Sequence, residues 1–394
     1  MYLLSWSGFI TALAVVIIVA RKNLPLALLL GTLILGFFTL PILTVFKTLF
    51  TTVIDPSIIT LALAVGLIPM IGGVMKDSGQ MDNLVNNLRI GKKGIMALSP
   101  ALMGLLPMPG GALFSAPVLE KAGKDIAEDL KVSVNIWFRH LLILIYPLSS
   151  DLIASAKIAG MNLYTVILHF IPTLALALAL GYFFFIRKIR GSLSYSGSFS
   201  LKKLLLPLAI ILVAPVIDFA FKTFFFLPIK EIATLLGVAT AFVLALWLSP
   251  ANIDLKKTFK KMKPWNFALI IFGMFMFLNI FTASGIAVLI ARIPLSPVVL
   301  CVVAGFIVAA ATGRVLLPSS IIYPIYLATS VISPVKFAII YTSIFFGYVI
   351  SPVHPCVAVT CEYFKSPVKD MIRLLAIPVG IIFVAALLCA IFLG

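Results

Sequence analysis

Two charged side chains and one histidine interrupt long apolar stretches of this sequence. Asp151, Arg314 and His354 each lie close to a proline or a glycine, where a helix is expected to break. A carboxylate can carry a proton or bind a cation, and the planar guanidinium of arginine binds carboxylates or phosphates through two parallel hydrogen bonds. Imidazole titrates near neutral pH and can relay a proton. The sequence therefore offers an acidic, a basic and a proton-relaying group for a binding site.

The composition of the chain predicts that lipid is its solvent. The 394 residues are 62% hydrophobic and 11% charged, whereas soluble domains contain about 25% charged residues. A soluble protein of this size could not bury so many apolar side chains, which excludes a soluble enzyme, an extracellular disulfide module and a disordered scaffold. The net charge of +17 is typical of cytoplasmic loops that face anionic lipid, so no nucleic-acid partner is expected.

Ten apolar stretches are long enough to span a bilayer, and two more are interrupted by Pro and Gly. We expect each interrupted segment, 94–122 and 297–333, to form a re-entrant hairpin of two short helices. Lysine and arginine then concentrate in the loops of one face in both halves of the chain, which predicts a plasma-membrane protein with both termini outside the cytoplasm. The ten predicted spans are 1–20, 24–46, 58–75, 132–156, 163–186, 204–221, 229–248, 265–290, 336–350 with its continuation, and 371–393.

The pattern of apolar stretches and of Pro- and Gly-containing breaks in the first half recurs in the second half after a shift of about 205 residues. A Ser/Gly-rich stretch near the midpoint, within residues 191–203, is typical of a cytoplasmic linker. It separates a first repeat, 1–190, from a second, 204–394. Five crossings in each half, an odd number, would place the second repeat upside down relative to the first. Inverted repeats with interrupted helices are typical of secondary transporters.

Four predicted breaks lie at membrane depth, in residues 104–117, 146–151, 312–320 and 351–356. Irregular backbone in lipid leaves N–H and C=O groups unpaired at several kcal/mol each, so a ligand cavity would explain the breaks. We expect the first and third breaks to bind an anion through backbone, hydroxyl and guanidinium groups; the alternatives are a packed kink and a structural ion pair from Arg314 to Asp151 or Glu362. The predicted anion-binding residues are Pro109, Gly110, Gly111, Ser115, Gly313, Arg314, Ser319 and Ser320.

The second and fourth breaks are expected to couple transport to an ion, through Ser149, Ser150, Asp151 and His354. A charge at the bilayer centre costs about 2.5–3.5 kcal/mol, so Asp151 should face a cavity and have a function. The alternatives are that Asp151 pairs with Lys157 at the outer mouth and that His354 is a structural residue. A cation/proton antiporter with Asp151 as the ion carrier is the alternative function.

Other polar residues and the cysteines are given no functional role by the sequence. Asn135, Arg139 and His140 are expected at the cytoplasmic start of their span, where snorkelling satisfies them. Cys301, Cys356, Cys361 and Cys389 form no disulfide framework, and Cys356 and Cys361 are predicted to pack, with no metal site. The sequence contains no HExxH, GxSxG or ATP-binding loop, so we predict no enzyme, no catalytic residue and no cofactor beyond a coupling Na⁺ or H⁺.

Residues 104–117, which include the run LLPMPGGALFSAP, resemble a membrane family numbered 401 among domains of unknown function (DUF401), as do residues 347–356 and 362–364. The resemblance covers essentially the whole chain. The family is grouped with the ion transporter superfamily, which includes citrate–metal, gluconate, dicarboxylate, arsenite and sodium/proton carriers. The resemblance implies a scaffold domain and a transport domain of hairpins and broken helices that moves as an elevator. Relatives bind sodium and carboxylate with Ser-Asn-Thr-type tips, which residues 108–111 and 314–320 lack, so sodium coupling is not carried over.

Together these features predict an all-α polytopic membrane protein with about ten spans and two re-entrant hairpins in two inverted repeats. The predicted function is secondary active transport of a small organic anion, with a carboxylate favoured, coupled to a proton or sodium gradient. The expected partners are the anion and the lipid bilayer, and two copies could associate as a homodimer.

Overall fold

The computed structural model describes residues 2–20, 22–106, 111–193, 195, 198–249 and 253–393, and these residues form helices joined by turns and loops, without a β-strand. The predicted all-helical fold class is confirmed. In the first half the helices are α1 Tyr2–Ala20, α2 Leu24–Thr39, α3 Ile42–Val53, α4 Pro56–Asp77, α5 Gln80–Asn86, α6 Gly91–Gly104, α7 Ala112–Ala122, α8 Glu128–Leu141, α9 Ser150–Ile158, α10 Leu163–His169 and α11 Ile171–Phe184, followed by a 3-10 turn, Ile186–Lys188.

The second half begins after the predicted linker and again contains short helix pairs and long helices. Its helices are α12 Leu201–Phe224, α13 Glu231–Trp247, α14 Leu255–Met262, α15 Pro264–Ala283, α16 Ile286–Ile290, α17 Pro297–Thr312, α18 Leu316–Leu327, α19 Pro334–Ile350, α20 Pro355–Tyr363 and α21 Val368–Leu393.

Helix length and composition identify a membrane protein. In the described part of the chain, six helical segments are long and apolar enough to cross a bilayer, or seven if the pair α9 and α10, bent by 107°, forms one span. Several shorter helices, including α17 and α18, are also apolar. Large apolar side chains such as Phe226 and Phe392 are more than 80% exposed, which is expected where the surrounding medium is lipid. The count of ten spans stays a prediction.

Three predicted continuous spans are divided in the structure. The span 163–186 is divided at Phe170, between α10 and α11, and the spans 24–46 and 265–290 each contain a backbone break that hydropathy does not indicate. The span 24–46 ends at Thr39, because Pro41 forces the preceding residue, Leu40, into an extended conformation. The span 265–290 is divided after Ala283 by Gly285, whose φ of 70° lies in the left-handed region that favours glycine. Residues 24–46 and residues 265–290 are hydrophobic throughout, so hydropathy alone predicts one continuous helix in each of these stretches.

The two long interrupted segments are helix–break–helix units, as predicted. In the first, α6 ends at Gly104 and α7 begins at Ala112; in the second, α17 and α18 are separated by residues 313–315. Gly313 ends α17 in the left-handed conformation, with φ 60°. The breaks in the following elements also exist: residues 142–149 separate α8 from α9, and residues 351–354 separate α19 from α20. The first of these is longer than the predicted 146–151.

Packing divides the helices into two groups. The scaffold group comprises α1–α5 and α12–α16, in which α1 packs on α2, α4 packs on α13 and α15, and α12 packs on α13. The hairpin group comprises α6–α11 and α17–α21, in which α6 packs on α8, α9 on α18, α7 on α20 and α17 on α19. Each hairpin therefore contacts a broken helix of the other half. The same order of elements occurs twice in the hairpin group, whereas the inverted orientation and the repeat boundaries stay predictions.

Close backbone approaches fix the hairpins to the broken helices. A Cβ atom on Gly104 would lie 2.0 Å from the Arg139 carbonyl oxygen, and one on Gly347 would lie 2.5 Å from that of Phe306. Glycine is required at both crossings because no side chain fits between the helices. The two broken helices are thereby held against their hairpins.

Polar contacts also join the two groups, at the end of the scaffold where α4 and α13 begin and α12 ends. Lys157 of α9 forms an ion pair with Glu231 at 2.5 Å and also donates to the Ser57 hydroxyl. Tyr164 of α10 donates to Asp218, a buried carboxylate that also pairs with Lys222. The alternative in which Lys157 neutralises Asp151 is therefore not what the structure shows.

Candidate ligand cavity

A cavity of about 310 Å³ lies between the scaffold group and the hairpin group. Its two walls differ in chemistry. The scaffold group contributes only apolar side chains among the described residues: Leu24, Val65, Phe267, Ile270 and Ile271. The hairpin group contributes every polar lining residue that the described chain provides: Arg139, His140, Tyr146, Ser149, Ser150, Asp151, Arg314, Tyr348, His354 and Cys356. Most of these residues lie at the break of α8/α9, at the break of α19/α20 or at the second hairpin tip.

Arg314 reaches the cavity from the tip of the second hairpin. It follows Gly313, whose left-handed backbone lies so close to the fourth break that a Cβ atom would be 2.8 Å from the His354 nitrogen. Within the part of the chain that the structure describes, the half-buried guanidinium has no hydrogen bond to another residue and no ion pair within 4.0 Å. The predicted alternatives, an ion pair from Arg314 to Asp151 or to Glu362, are not found among these residues. The cavity therefore contains a guanidinium able to bind an external anion.

Asp151 lies on the same polar wall, in the first turn of α9. The positive end of the helix dipole favours a carboxylate at this position. Ser149, the residue before α9, and Ser150 line the cavity beside it. With the histidines neutral, Arg139, Arg314 and Asp151 give this wall two positive charges and one negative charge. The wall is thus suited to a ligand that carries at least one negative charge.

Arg139 and His140 were missed by sequence reasoning, which placed them with Asn135 at the membrane surface. All three are buried, with at most 4% of each residue exposed. The reason is that α8 already ends at Leu141, so Arg139 and His140 occupy its last turn beside the break rather than its cytoplasmic start. Arg139 donates to the Gly111 carbonyl at 2.9 Å and so holds the end of the first tip. A useful indication in the sequence is that six residues separate the pair Arg139 and His140 from Pro147, which belongs to the Pro/Ser-containing stretch of the second predicted break.

Ser115 belongs to a buried network rather than to the cavity lining. Its hydroxyl donates to Asn135 Oδ1 at 2.5 Å, while the Asn135 amide nitrogen donates to the Ala112 carbonyl and to the Thr360 hydroxyl. The network joins α7, α8 and α20 at the beginning of the returning helix of the first hairpin. A structural role for Ser115 therefore has direct geometric support.

We expect Ser115→Ala to lower the stability of the protein without changing its affinity for a ligand of the cavity. The substitution leaves the Asn135 carbonyl oxygen without its donor, and a buried unsatisfied group costs about 1–3 kcal/mol. Thermal unfolding of the purified protein in detergent, with and without a bound anion, measures both quantities. A selective loss of ligand-induced stabilisation would instead place Ser115 in the binding site.

The remaining predicted anion-binding residues that the structure describes do not line the cavity. Ser319 accepts a hydrogen bond from Ser155 at 2.8 Å, and Ser320 donates to the Leu317 carbonyl. Gly111 is buried and binds Arg139 through its carbonyl oxygen. Pro109 and Gly110 lie outside the described residues. Of the predicted anion-binding set, the structure brings Arg314 to the cavity, together with all four predicted ion-coupling residues, Ser149, Ser150, Asp151 and His354.

An aromatic cluster completes the polar wall beside Arg314. The ring centroid of Tyr348 lies 4.0 Å from that of His354, and the His140 ring lies 4.8 Å from His354. Cys356 also lines the cavity, next to these rings. Neither Tyr348 nor the proximity of His140 to Cys356 was anticipated from the sequence, because these residues are far apart along the chain.

The sequence profile of the family described as "Protein of unknown function (DUF401)" matches residues 4–394. The chain belongs to this family. The resemblance noted in residues 104–117, 347–356 and 362–364 is thereby confirmed over nearly the whole DUF401 sequence.

The fold of this DUF401 protein is similar to that of a solved transporter. The crystal structure of the Alcanivorax borkumensis YdaH transporter, described as having an unusual topology, matches with a TM-score of 0.60 and 16% sequence identity. The match covers 94% of this chain and 96% of that chain. A comparison with curated proteins finds no match. At this identity the likeness establishes the fold.

Proposed function

We propose that this DUF401 protein is a secondary active transporter of a small organic anion, with carboxylates as the favoured class. The observation that carries the proposal is the position of Arg314, a guanidinium without a hydrogen-bond or ion-pair partner among the described residues, at the wall of a cavity flanked by broken helices. Its planar donor fork matches a carboxylate. Pockets that bind drug-sized ligands have volumes of about 300–1,000 Å³. A cavity of about 310 Å³ is at the lower end of that range and therefore suits a ligand of a few carbon atoms.

The unequal walls of the cavity support a moving hairpin group. All polar lining residues of the described chain belong to that group, whereas the facing scaffold wall is apolar. A ligand held only by the hairpin group could travel with it, because no polar bond to the scaffold would have to break. This is the geometry that an elevator-type carrier requires. The proposed carrier lies in the plasma membrane with both termini outside the cytoplasm.

Asp151 supplies the coupling to a gradient in this proposal. While the carboxylate is charged it offsets one guanidinium, and when it binds a proton or a sodium ion the wall becomes more positive by one charge. Anion binding and cation binding therefore favour each other. Energy stored in a proton or sodium gradient can then drive uphill movement of the anion.

The proposal is tested with purified protein reconstituted into vesicles. A melting screen against mono-, di- and tricarboxylates, with and without sodium and across pH, identifies a stabilising anion for use as the labelled substrate. We expect saturable uptake that accumulates against a concentration gradient and requires an imposed proton or sodium gradient. Downhill, non-saturating flux would contradict active transport.

A cation/proton antiporter is the second candidate function, and the absence of an ion pair to Asp151 among the described residues favours it. In the same vesicles it would exchange sodium for protons without any organic anion. Such exchange, lost in Asp151→Asn and kept in Arg314→Gln, would replace the anion transporter as the function of this cavity.

A further inference from the structure

Three side chains with metal-binding atoms meet on the polar wall of the cavity. His140 comes from the last turn of α8, His354 from the fourth break and Cys356 from the first turn of α20. One ring nitrogen of each histidine and the Cys356 Sγ lie within 4.8 Å of one another. The three residues come from both halves of the chain, so the fold and not the local sequence brings them together.

The hydrogen bond of His140 prepares its other nitrogen to bind a metal. His140 Nδ1 lies 2.6 Å from the Ile136 carbonyl oxygen, and since a carbonyl can only accept, Nδ1 must carry the proton. The lone pair of the neutral ring is therefore on Nε2, which faces the Tyr348 hydroxyl at 3.5 Å, a long contact that a bound metal would replace. A ring nitrogen that donates to a backbone carbonyl is the arrangement that orients histidine ligands in metal sites.

His354 is the second, independent indication of a ligand. The residue is 1% exposed, and neither ring nitrogen makes a hydrogen bond of ordinary distance and angle within the described chain, although the Tyr348 main chain lies near the ring. A buried polar atom left without a partner is unfavourable, because it loses its hydrogen bonds to water without gaining new ones. The Tyr348 ring, tilted by 31° with its centroid 4.0 Å away, packs against the imidazole, and a ligand in the cavity would satisfy its nitrogens.

We infer that His140, His354 and Cys356 form a binding site for a borderline-soft transition-metal cation of the Zn²⁺ type. Two imidazoles and a thiolate are ligands that zinc prefers, whereas magnesium and calcium prefer oxygen. A tetrahedral zinc site places its ligand atoms about 3.4–3.8 Å apart, so the side chains would close by about 1 Å around the ion. The fourth position opens on the cavity, where water or a ligand completes it.

The charges around the metal site determine how a bound metal ion would change anion binding in the cavity. Arg139 and Arg314 line the same wall and oppose a dication, whereas the Cys356 thiolate and Asp151 favour it. A bound Zn²⁺ with one thiolate adds one positive charge beside Arg314 and would raise the affinity of the cavity for an anion. The inference goes beyond anion transport, since the metal site exists whether or not an organic anion is moved.

Cobalt(II) is the probe for this site, because a thiolate ligand gives Co²⁺ an intense near-ultraviolet charge-transfer band. We expect metal-stripped protein in detergent to bind one Co²⁺ per chain with this band, and Zn²⁺ to displace it. Cys356→Ser should abolish the band. His354→Gln should weaken Co²⁺ binding at least about tenfold, because even outer partners of metal ligands contribute 10–100-fold.

Matched variants outside the cluster separate the site from general thiol and imidazole binding. Cys389→Ser and His169→Gln remove the same groups from α21 and α10 and should leave the spectrum and the stoichiometry unchanged. A charge-transfer band that survives in Cys356→Ser, or no Co²⁺ uptake by folded wild-type protein, would overturn the metal site. Elution volume and melting temperature report folding, and anion-induced stabilisation measured with a chelator present tests anion binding separately.

Discussion

Replacement of Arg314 by glutamine is expected to reduce carboxylate binding and uptake at least about 30-fold. The guanidinium is the cavity cation without a hydrogen-bond or ion-pair partner in the described chain. Its removal leaves Arg139, which already donates to the Gly111 carbonyl, as the other cavity cation. Loss of one member of a desolvated charge pair costs about 2–5 kcal/mol, and each 1.4 kcal/mol is tenfold in affinity. Anion-induced shifts in melting temperature and initial uptake rates measure the two effects.

Two further variants show whether the reduced binding of Arg314→Gln comes from the lost charge or from the lost planar donor group. Arg314→Lys keeps the charge but not the planar fork, so an intermediate affinity is expected. Arg292→Gln removes an exposed arginine outside the cavity lining and should leave binding unchanged. Full uptake by Arg314→Gln would show that the anion is bound elsewhere.

A methyl group at Gly104 is expected to destabilise the protein by about 1–3 kcal/mol or more. Its Cβ atom would lie 2.0 Å from the Arg139 carbonyl oxygen, and backbone cannot rotate away as a side chain can. Overpacking of this kind typically costs 1–3 kcal/mol. The same displacement would move the last turn of α8, which carries Arg139 and His140. A lower apparent melting temperature of Gly104→Ala and a weaker anion-induced shift are the expected results.

Gly380→Ala is the matched control, because Gly380 is also in a helix but its added methyl group would meet no atom within 4 Å. Alanine is favoured over glycine in helices by about 0.5–1 kcal/mol, so this variant should be as stable as the wild type or slightly more stable. If Gly104→Ala were equally stable, the hairpin and α8 would not be in the close contact described above.

The breaks could be predicted from the sequence because proline and glycine act locally. Pro355 cannot continue a helix from the preceding residues, and Gly313 has the backbone freedom that the tip requires. Asp151 and Arg314 were expected to face a cavity because charge is costly in lipid, and both line one. These inferences need only a residue and its immediate neighbours.

The partners of each polar side chain could not be predicted, since they depend on tertiary contacts. Ser115 has a hydroxyl suited to a ligand, but Asn135, twenty residues later, satisfies it. Arg139 is expected at the cytoplasmic start of its span, where snorkelling would satisfy it, but it lies in the last turn of α8 and is buried. Cys356 has no metal-binding neighbour nearby except His354, and His140 reaches it only through the fold.

The ion pair between Lys157 and Glu231 has a consequence for the speed of any such carrier. Together with the hydrogen bond from Tyr164 to Asp218, it connects the hairpin group to the scaffold group outside the cavity lining. Both side chains are only partly exposed, 22% for Lys157 and 15% for Glu231, so separating them during a transport movement would be unfavourable until new partners or solvent replace the pair. If the hairpin group moves during transport, its turnover rate would then depend on how fast these contacts break, whatever solute the cavity binds.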